Sequence, residues 1–517
     1  MSKPMPVPMP EIRSVDGVPT LFVDGAPFLF LGGELHNSSC SSPDYLRDVV
    51  WPALRGRHLN GIVGTVSWEQ VEPEPGRFDF TTLDALVAGA RAEGYRLVLI
   101  WFGLWKNATS TYVPDWVKRD PATYRNADVG GATRIVPRFH DMYRPSVTPL
   151  CDAAVEADAR AFAAVMARLR ETDPDRTVVL VQVENEIGLL TAARDFSPEA
   201  DRRFAEEVPG PLAAACGVSG TWKAAFGDDA EETFMAWHYG RAVERIASAG
   251  AKEYPLPMYV NAWLQQDPDR AGNYPSGGPV MKMRRVWRTA APSIVLQAPD
   301  IYLSDFEAVC REYAQDGNPL FIPEVRYTLE PAAEAFAAVA EHGALGFCPF
   351  GIEGEAPAED LAHLLGFPSA RETDRARHLA ETYRILGNLA PVLHAHRGTK
   401  ALRGFYHYGQ FSGTILPFTK YDVRIEYHPG PEGMPPPGGL VAELGPDEFL
   451  FAGRNFLAFL LPKKGEQALA FQSRIEEGQY VDGAWTPRRL LNGDEQIIAV
   501  GYEPKVLRVE AYKRPVR

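Results

Sequence analysis

The sequence predicts an α/β chain in which an enlarged (β/α)8 barrel is followed by a smaller antiparallel all-β domain of the sandwich type. Eight short apolar runs, each typical of a buried strand, alternate with amphipathic helical stretches between Pro27 and Phe350. Acidic and amide residues follow directly after several of these runs, and the carboxyl ends of barrel strands are where active sites form. Beyond Pro391 the helical periodicity gives way to short alternating runs broken by turn signals.

The barrel is preceded by a predicted hairpin and then repeats a strand-helix unit. Asp24-Gly25 favours a type I′ turn between two strands. Ser42-Pro43 predicts a helix start, because serine caps a first turn and proline fits its first position. No Gly-x-Gly-x-x-Gly motif follows the first strand, so we predict a barrel rather than an open dinucleotide-binding sheet, and no cofactor. The predicted barrel strands are Pro27–Leu31, Ile62–Ser67, Arg96–Phe102, Thr177–Val183, Met258–Ala262, Ile301–Leu303, Leu320–Pro323 and Ala344–Phe350.

Two long connections enlarge the barrel, and composition divides the chain into three parts. The connections Gly103–Cys151 and Leu189–Asp229 carry aromatic residues, which argues for folded excursions over the barrel mouth rather than disorder. We predict an N-terminal extension at 1–19, the catalytic barrel at 20–395 and the β domain at 396–517. Three roles stay open for the β domain: carbohydrate binding, self-association into a homo-oligomer, or bracing of the barrel.

Composition and charge bear on partners and compartment. The chain has 517 residues, of which 45% are hydrophobic and 23% are charged, and its formal net charge is −14. This charge disfavours nucleic acid and anionic membranes as partners, and no apolar stretch is long enough to span a bilayer. The five cysteines lack Cys-x-x-Cys spacing, so we expect reduced thiols and a cytoplasmic protein. If a signal peptide has been removed, the periplasm or the exterior is the expected compartment.

Acidic residues at the ends of the fourth and seventh strands point to glycoside chemistry. Glu184-Asn185-Glu186 follows the fourth strand, and Glu324 follows the seventh. A buried charge is costly without a partner, so carboxylates at buried strand ends indicate a site. Retaining glycosidases need two carboxyl groups about 5–5.5 Å apart, and strands four and seven lie across a barrel from each other. We therefore predict catalytic roles for Glu186 and Glu324, a sugar-hydroxyl contact for Asn185 and a supporting role for Glu184.

The same residues allow other interpretations. Glu324 lies two positions before Arg326, and an acid beside an arginine is commonly a structural ion pair, although such a pair would also keep a nucleophile ionised. Glu184, Glu186 and Glu324 could instead bind a divalent metal in a barrel isomerase or lyase. A non-catalytic sugar-binding protein would need only an aromatic cleft. His36 has no second histidine or carboxylate at ligand spacing, so we predict a structural role for it and no metal site.

Several segments carry motifs of a known kind. Phe22–Phe28 and Gly33–His36, with the text Gly-Glu-Leu-His, match an opening strand pair. Leu59–Phe80 matches the region around a second strand, and Gln182–Gly188, with the text Gln-Val-Glu-Asn-Glu-Ile-Gly, matches an acid/base motif almost residue for residue. From Leu21 to about Gly188 the chain thus resembles the retaining β-galactosidases of glycoside hydrolase families 35 and 42. These belong to the clan of barrels with catalytic acids on strands four and seven.

This resemblance implies roles for the predicted acids. Glu186 would be the acid/base, Asn185 its substrate-binding neighbour and Glu324 the nucleophile of a double displacement that releases terminal β-galactose. Where family 35 has a Cys-Ala-Glu segment that helps hold galactose, this chain has Trp-Phe-Gly-Leu-Trp-Lys-Asn at 101–107. That segment is more similar to family 42 and to β-galactosidase-like proteins with an uncharacterised β-rich C-terminal domain. The sugar therefore stays open, with β-glucosidase, β-xylosidase and α-arabinosidase activities as alternatives.

Further candidate substrate ligands stand at predicted strand ends. Some are polar groups that can bind hydroxyls, and others are aromatic rings that can stack on a pyranose. The candidates are Glu34, Trp68, Trp105, Asn107, Trp263 and Tyr302.

Overall fold

A small antiparallel sheet precedes the barrel. In a computed structural model, the described residues are 7–130, 145–265, 270–302, 305–354, 372–409 and 412–516. The strands of the small N-terminal sheet are β1 (Glu11–Val15), β2 (Val18–Val23) and β3 (Ala26–Pro27). Val23 pairs with Ala26, so Asp24-Gly25 forms a two-residue turn, with φ of 54° and 78°. Because a type I′ turn requires positive φ at both central residues, the predicted hairpin is confirmed.

Eight parallel strands form the wall of the barrel. They are β4 (Phe30–Leu31), β5 (Gly61–Ser67), β6 (Arg96–Lys106), β7 (Val178–Asn185), β8 (Met258–Trp263), β9 (Ile294–Ile301), β10 (Ile322–Val325) and β11 (Gly346–Pro349). Neighbours pair in the order β4-β11-β10-β9-β8-β7-β6-β5. The ring closes beyond β4, where Val63 N–H donates to Gly33 O (2.9 Å) and Leu35 N–H donates to Val63 O (3.0 Å). The predicted barrel is therefore confirmed.

One strand was misplaced by the sequence pattern. The sixth strand is β9, which ends where the predicted run 301–303 begins. Its apolar run, Ile294–Leu296, is only three residues long and is followed by the polar Gln297, so the pattern gives a weak signal for this strand. The position of residue 303 lies outside the described residues.

Helices surround the strands. The predicted start at Ser42-Pro43 is correct, because Ser42 Oγ accepts a hydrogen bond from Tyr45 N–H. The connection after β7 contains three short helices, α7 to α9 in the series below. None of the helices in the described ranges combines the length and the apolarity that a bilayer span requires. The α-helices are α1 (Pro43–Tyr45), α2 (Trp51–Leu54), α3 (Trp68–Val71), α4 (Thr81–Ala92), α5 (Asp115–Lys118), α6 (Asp152–Thr172), α7 (Pro198–Phe204), α8 (Gly210–Cys216), α9 (Trp222–Phe226), α10 (Ala230–Glu253), α11 (Arg284–Ala290), α12 (Phe306–Tyr313), α13 (Pro331–Ala340) and α14 (Glu372–His396).

The barrel has an inner and an outer core, and strand alternation assigns side chains to them. Inside, rings and branched chains such as Phe30, Val63, Ile100 and Tyr259 fill the barrel, and Leu21 of the N-terminal hairpin joins them. Outside, the alternate residues of the same strands pack against the helices. A polar residue that continues the inner series past the apolar layers therefore reaches the barrel mouth.

The C-terminal part is a β sandwich, as predicted. A six-stranded and a four-stranded sheet, both antiparallel, enclose a core that includes Phe405, Val423, Phe449 and Leu507. The opposite face of the larger sheet joins the outer core of the barrel through residues such as Leu450. We propose the end of α14 as the division between the domains. The strands are β12 (Leu402–Tyr406), β13 (Ser412–Pro417), β14 (Tyr421–Tyr427), β15 (Gly438–Gly445), β16 (Glu448–Arg454), β17 (Phe456–Pro462), β18 (Ala468–Val481), β19 (Ala484–Leu491), β20 (Ile498–Val500) and β21 (Lys505–Pro515).

Candidate active site

Four acids and one lysine share the carboxyl-end mouth of the barrel. Glu34 follows β4, Glu186 follows β7, and Asp300 and Glu324 lie in β9 and β10, while Lys106 is the last residue of β6. Their exposed fractions are 1%, 7%, 3%, 7% and 9%. Each acid lies within electrostatic range of Lys106, and the charge of Glu324 acts on the other three. The mouth thus holds a dense cluster of ionisable groups with little contact to solvent.

The end of β7 leaves regular strand geometry, and this turn presents Glu186. The φ angles of Glu184 and Glu186 are 65° and 45°, in the left-handed region that glutamate seldom adopts. Glu186 N–H donates to Asn261 Oδ1 at 2.9 Å, and Asn261 Nδ2 donates to Asn185 Oδ1 at 3.2 Å. Gln182 Nε2 also donates to Asn185 Oδ1, at 3.0 Å. A buried amide network therefore holds a strained turn, as is common at functional sites.

Glu184 points away from the mouth. Its carboxyl group accepts hydrogen bonds from Leu104 N–H (3.1 Å) and Trp105 N–H (2.6 Å), and it shares a further hydrogen bond with Asp158 of α6. Burial and the nearby Asp158 raise the pKa of Glu184 well above its ordinary value, and burial raises the pKa of Asp158 to about 6. The two groups behave as an acid pair that keeps a proton. Glu184 and Glu186 lie on opposite sides of β7, so they cannot ligate one metal ion together.

A wide bulge in β6 brings Lys106 to the mouth. Trp101 pairs with Val183 and Lys106 pairs with Asn185, so β6 advances five residues where β7 advances two. The extra residues turn Trp105 outward, where its Nε1 donates to Val147 O at 2.8 Å. Lys106 returns to the inner side of the barrel. The bulge rests on the Asp158–Glu184 pair, which accepts its backbone N–H groups.

Glu324 is held from the neighbouring strand. The hydroxyl of Tyr302 donates a hydrogen bond to Glu324 Oε1, and Asp300 is the residue of β9 that pairs with Glu324. Arg326 instead donates to Glu334 Oε1 of α13, at 2.6 Å. The alternative in which Arg326 forms a structural ion pair with Glu324 is therefore wrong, because Arg326 turns to a buried carboxylate on the outer side.

The two predicted catalytic acids, Glu186 and Glu324, differ in what raises and lowers their pKa values. Burial and then the charge of Glu324 raise the pKa of Glu186 to about 7, against the opposing effect of Lys106. Burial also raises the pKa of Glu324, whereas Lys106 and the Tyr302 hydrogen bond lower it. The negative charge of Glu324 raises the pKa of Glu34, Glu186 and Asp300 alike. Glu324 is therefore the acid best placed to hold the charge, and Glu186 is placed to hold a proton near neutral pH.

The other sequence candidates separate into two groups. Glu34 and Asn107 lie at the mouth; Asn107 N–H donates to Asn185 O at 3.2 Å. Trp263 continues the inward series of β8 two residues beyond Asn261, and Tyr302, which is 36% exposed, contacts Glu324. Asn185 lies in the amide network beneath Glu186.

The structure does not bring Trp68 or Trp105 to the mouth. Both rings are fully buried in the outer core. Trp68 Nε1 donates to Glu72 Oε2 at 2.8 Å, and the Trp105 ring packs edge-on against Tyr239 with centroids 5.1 Å apart. Trp68 follows Ile62 and Val66 in the outward series of β5, and the bulge turns Trp105 outward. His36 lies 3.1 Å from Glu353 through Nδ1, in the structural role that was expected.

Sequence reasoning missed several residues of the site. Lys106, Asn261 and Asp300 all stand at the carboxyl ends of barrel strands, which is the same criterion that selected Asn107. Asn261 and Asp300 precede the chosen aromatics Trp263 and Tyr302 by two positions, and therefore share their side of the strand. Alternation within β8 and β9 would have found them.

Comparison with known proteins bears on this barrel. Residues 55–244 match the glycoside hydrolase family 42 model described as beta-galactosidase, and residues 379–500 match the model described as a domain of unknown function (DUF5597). The segment that matches the glycoside hydrolase family 42 model thus contains the second, third and fourth strands of the barrel. The resemblance noted from the motifs is confirmed, and the matched segment includes Glu186 and Asn185 but ends before Glu324.

Individual relatives match this chain over part of their length. The human protein named beta-galactosidase-1-like protein 3 is 26% identical over 193 residues, which are 35% of this chain and 25% of that protein. The β-galactosidase structure from Bacillus circulans sp. alkalophilus aligns with TM-score 0.48 and 13% identity, over 71% of this chain and 57% of the other. An exo-β-1,4-mannosidase from Opitutaceae bacterium strain TAV5 aligns with TM-score 0.41 and 14% identity, over 70% and 60%. The chain thus spans a quarter of the human relative and less than two thirds of these structures.

Proposed function

We propose that the chain hydrolyses terminal β-galactosides with retention of configuration. In the first step Glu324 attacks the anomeric carbon while Glu186 protonates the leaving oxygen, and a galactosyl ester forms on Glu324. In the second step Glu186, now a carboxylate, takes a proton from water, which attacks the anomeric carbon, breaks its bond to Glu324 and releases galactose and the free Glu324 carboxylate. Asn185, Glu34 and Asn107 bind sugar hydroxyls, and Trp263 and Tyr302 line the sugar site.

One observation carries the proposal: the mouth pairs a proton-holding acid with a charge-holding acid. A carboxyl with a pKa of about 7 can donate a proton at neutral pH, which Glu186 must do in the first step. A nucleophile must be ionised, and Lys106 and Tyr302 both favour the charged form of Glu324. The mutual effect also assists the second step. When Glu324 is esterified its charge is lost, the pKa of Glu186 falls, and Glu186 becomes a base.

Leaving-group dependence separates the roles of the two acids. Glu324→Ala should lose nearly all turnover on every aryl β-galactoside, because no ester can form. Glu186→Ala should lose about 10²–10⁴ in kcat/KM on phenyl galactoside and much less on 2,4-dinitrophenyl galactoside, whose leaving group needs no proton. Glu156→Ala, at an acid of α6 with a 60% exposed side chain, is the matched control and should behave as wild type.

Two results would contradict these roles. Wild-type turnover by Glu324→Ala would remove the nucleophile, and an equal loss on both galactosides would mean that Glu186 is not the acid. Proton NMR of the first-formed sugar tests retention, and an α-anomer would reject the double displacement. The sugar itself is tested with aryl β-galactoside, β-glucoside, β-xyloside, β-mannoside and α-arabinoside. A kcat/KM that is highest on another member would assign the site to that sugar.

A further inference from the structure

Lys106 is a buried cation that has no hydrogen-bond or ion-pair partner in the part of the chain that the structure describes. Its side chain is at the mouth, and the residue is 9% exposed. The nearest described contact of Nζ is the ring of Phe102, whose centroid is 5.3 Å away, and among the described residues no acceptor lies within hydrogen-bond or ion-pair distance of Nζ. Four acids compensate its charge from electrostatic range, but none of them accepts a hydrogen bond from Nζ, so the ammonium donors stay available to a ligand at the mouth.

An acceptor that has no N–H or hydroxyl donor among the described residues lies in the same cluster. It is the buried Oδ1 of Asp300, whose Oδ2 accepts from Asn261 Nδ2 at 2.7 Å and whose carboxyl group shares a hydrogen bond with Glu186. Asp300 lies within electrostatic range of Lys106. A hydroxyl group is both donor and acceptor, so the hydroxyls of one sugar can satisfy the lysine and the aspartate together.

We propose that Lys106 and Asp300 are substrate-binding residues that determine which sugar the site accepts, by holding hydroxyl groups of the ring in the subsite beside Glu186 and Glu324. The ligand is a neutral sugar. The charge of Glu324 already raises the pKa of Glu34, Glu186 and Asp300, so a further negative charge on the sugar would be unfavourable in this cluster. The proposal rests on the proposed glycosidase function, which it deepens.

The bulge of β6 explains why Lys106 lies beside Asn185. In a regular strand, the residue two positions after Trp101 would lie opposite Asn185. The extra residues of the bulge place Lys106 there instead. Asn185 and Lys106 therefore approach the sugar from adjacent strands. Lys106 lies in segment 101–107, where the sequence differs from the Cys-Ala-Glu segment that helps hold galactose in family 35. Lys106 therefore recognises a sugar hydroxyl from this segment of the chain.

The test measures which hydroxyl of the sugar each variant still recognises. Wild type, Lys106→Met and Lys106→Arg are compared on aryl β-galactoside and on its 2-, 3-, 4- and 6-deoxy analogues. Lys106→Met should lower kcat/KM on the parent galactoside about 10- to 100-fold, as for a hydrogen bond from a charged donor. On one deoxy analogue, wild type should already show that loss and Lys106→Met should lose nothing more. Asp300→Asn should show the same pattern on the same or the adjacent position.

A purely structural lysine would behave differently. Lys106→Met would then lose the same factor on all the substrates, and the proposal would be overturned. Lys106→Arg keeps the charge and the donor, so it should retain the discrimination even if its kcat/KM is lower. Lys223→Met, at a 68% exposed lysine of α9, is the matched control and should keep wild-type kinetics.

Calorimetric titration separates this proposal from the proposed function. Galactose, glucose, xylose, mannose and arabinose are titrated into wild type and Lys106→Met. If wild type binds a sugar that Lys106→Met binds at least tenfold more weakly, the assignment of Lys106 stands, even where no glycoside is hydrolysed and the proposed function fails. Equal affinity of the two proteins, or no binding of any sugar by wild type, would overturn it.

Discussion

Gly103 is expected to be indispensable, because the carboxyl pair beneath the bulge leaves no room for a methyl group. A Cβ at this position would lie 2.4 Å from Trp101 Nε1 and 2.5 Å from both Asp158 Oδ2 and Glu184 Oε1. All three atoms are fixed by hydrogen bonds in the core, so each would have to move by about 1 Å to reach ordinary van der Waals contact. We therefore choose Gly103→Ala as the perturbation.

The magnitude follows from two costs. Overpacking of a filled core costs about 1–3 kcal/mol, and one buried hydrogen bond left unmade costs about 1–3 kcal/mol more. Gly103→Ala should therefore lower the free energy of unfolding by about 2–6 kcal/mol. The same shift moves the end of β6, which carries Lys106 and Asn107, and a displacement of about 1 Å at a catalytic site can lower the rate about 100-fold.

Denaturant unfolding followed by tryptophan fluorescence and kcat/KM on an aryl galactoside measure the two effects. Gly210→Ala is the control, because a Cβ there meets nothing within 4 Å and alanine is the better helix residue in α8. Asp158→Asn keeps the volume and removes one acid, so it should fold where Gly103→Ala does not, with a smaller loss of kcat/KM. Wild-type stability and kcat/KM in Gly103→Ala would refute the account of the bulge.

Three further predictions concern ionisable groups. Because the pKa of Glu186 is about 7, kcat/KM on phenyl galactoside should fall above about pH 7, approaching tenfold per pH unit, and a profile flat to pH 9 would contradict this. Burial raises the folded-state pKa of Asp158 to about 6 from an ordinary value of 3.8, so its favourable contribution is present below about pH 4 and is lost as pH rises to about 6. The unfolding free energy of wild type relative to Asp158→Asn should therefore fall across that window, and a constant difference would contradict it. Arg326→Met should destabilise the protein by about 3–5 kcal/mol, because buried Glu334 loses its cationic partner and keeps only the hydrogen bond from the Tyr408 hydroxyl, and kcat should change little. A loss of kcat like that of Glu324→Ala would instead mean that Arg326 acts on the nucleophile.

The sequence was sufficient for the barrel because the signal lies in long periodic segments. Helical stripes such as that of α6 and apolar runs such as that of β7 recur in strict alternation, and only a barrel or an open sheet accommodates them. The strand that was misplaced, β9, has an apolar run of only three residues before Gln297. The β sandwich followed from its turns and alternating runs.

Side-chain direction at the strand ends could not be predicted, because regular alternation stops there. Left-handed φ at Glu184 separates it from Glu186, although the two are only two residues apart. The bulge in β6 sends Trp105 outward and Lys106 inward. Apart from its glycine, the sequence Gly-Leu-Trp-Lys contains no signal for such an irregularity. Strand-end position therefore identified the candidates, while local backbone conformation decided which of them face the sugar.

The bulge also connects stability with specificity in this chain. It needs Gly103, because two carboxyl oxygens occupy the space of a Cβ, and it needs the proton of the Asp158–Glu184 pair, because two charged carboxylates would repel each other in the core. The bulge in turn sets the register that puts Lys106 opposite Asn185. Exchange of Lys106 alone therefore changes the contact to the sugar, whereas exchange of Gly103 or Asp158 changes the position of the whole strand end. Substitution of Lys106 should therefore alter the sugar preference without lowering stability. Substitution of Gly103 or Asp158 should change both the sugar preference and the stability.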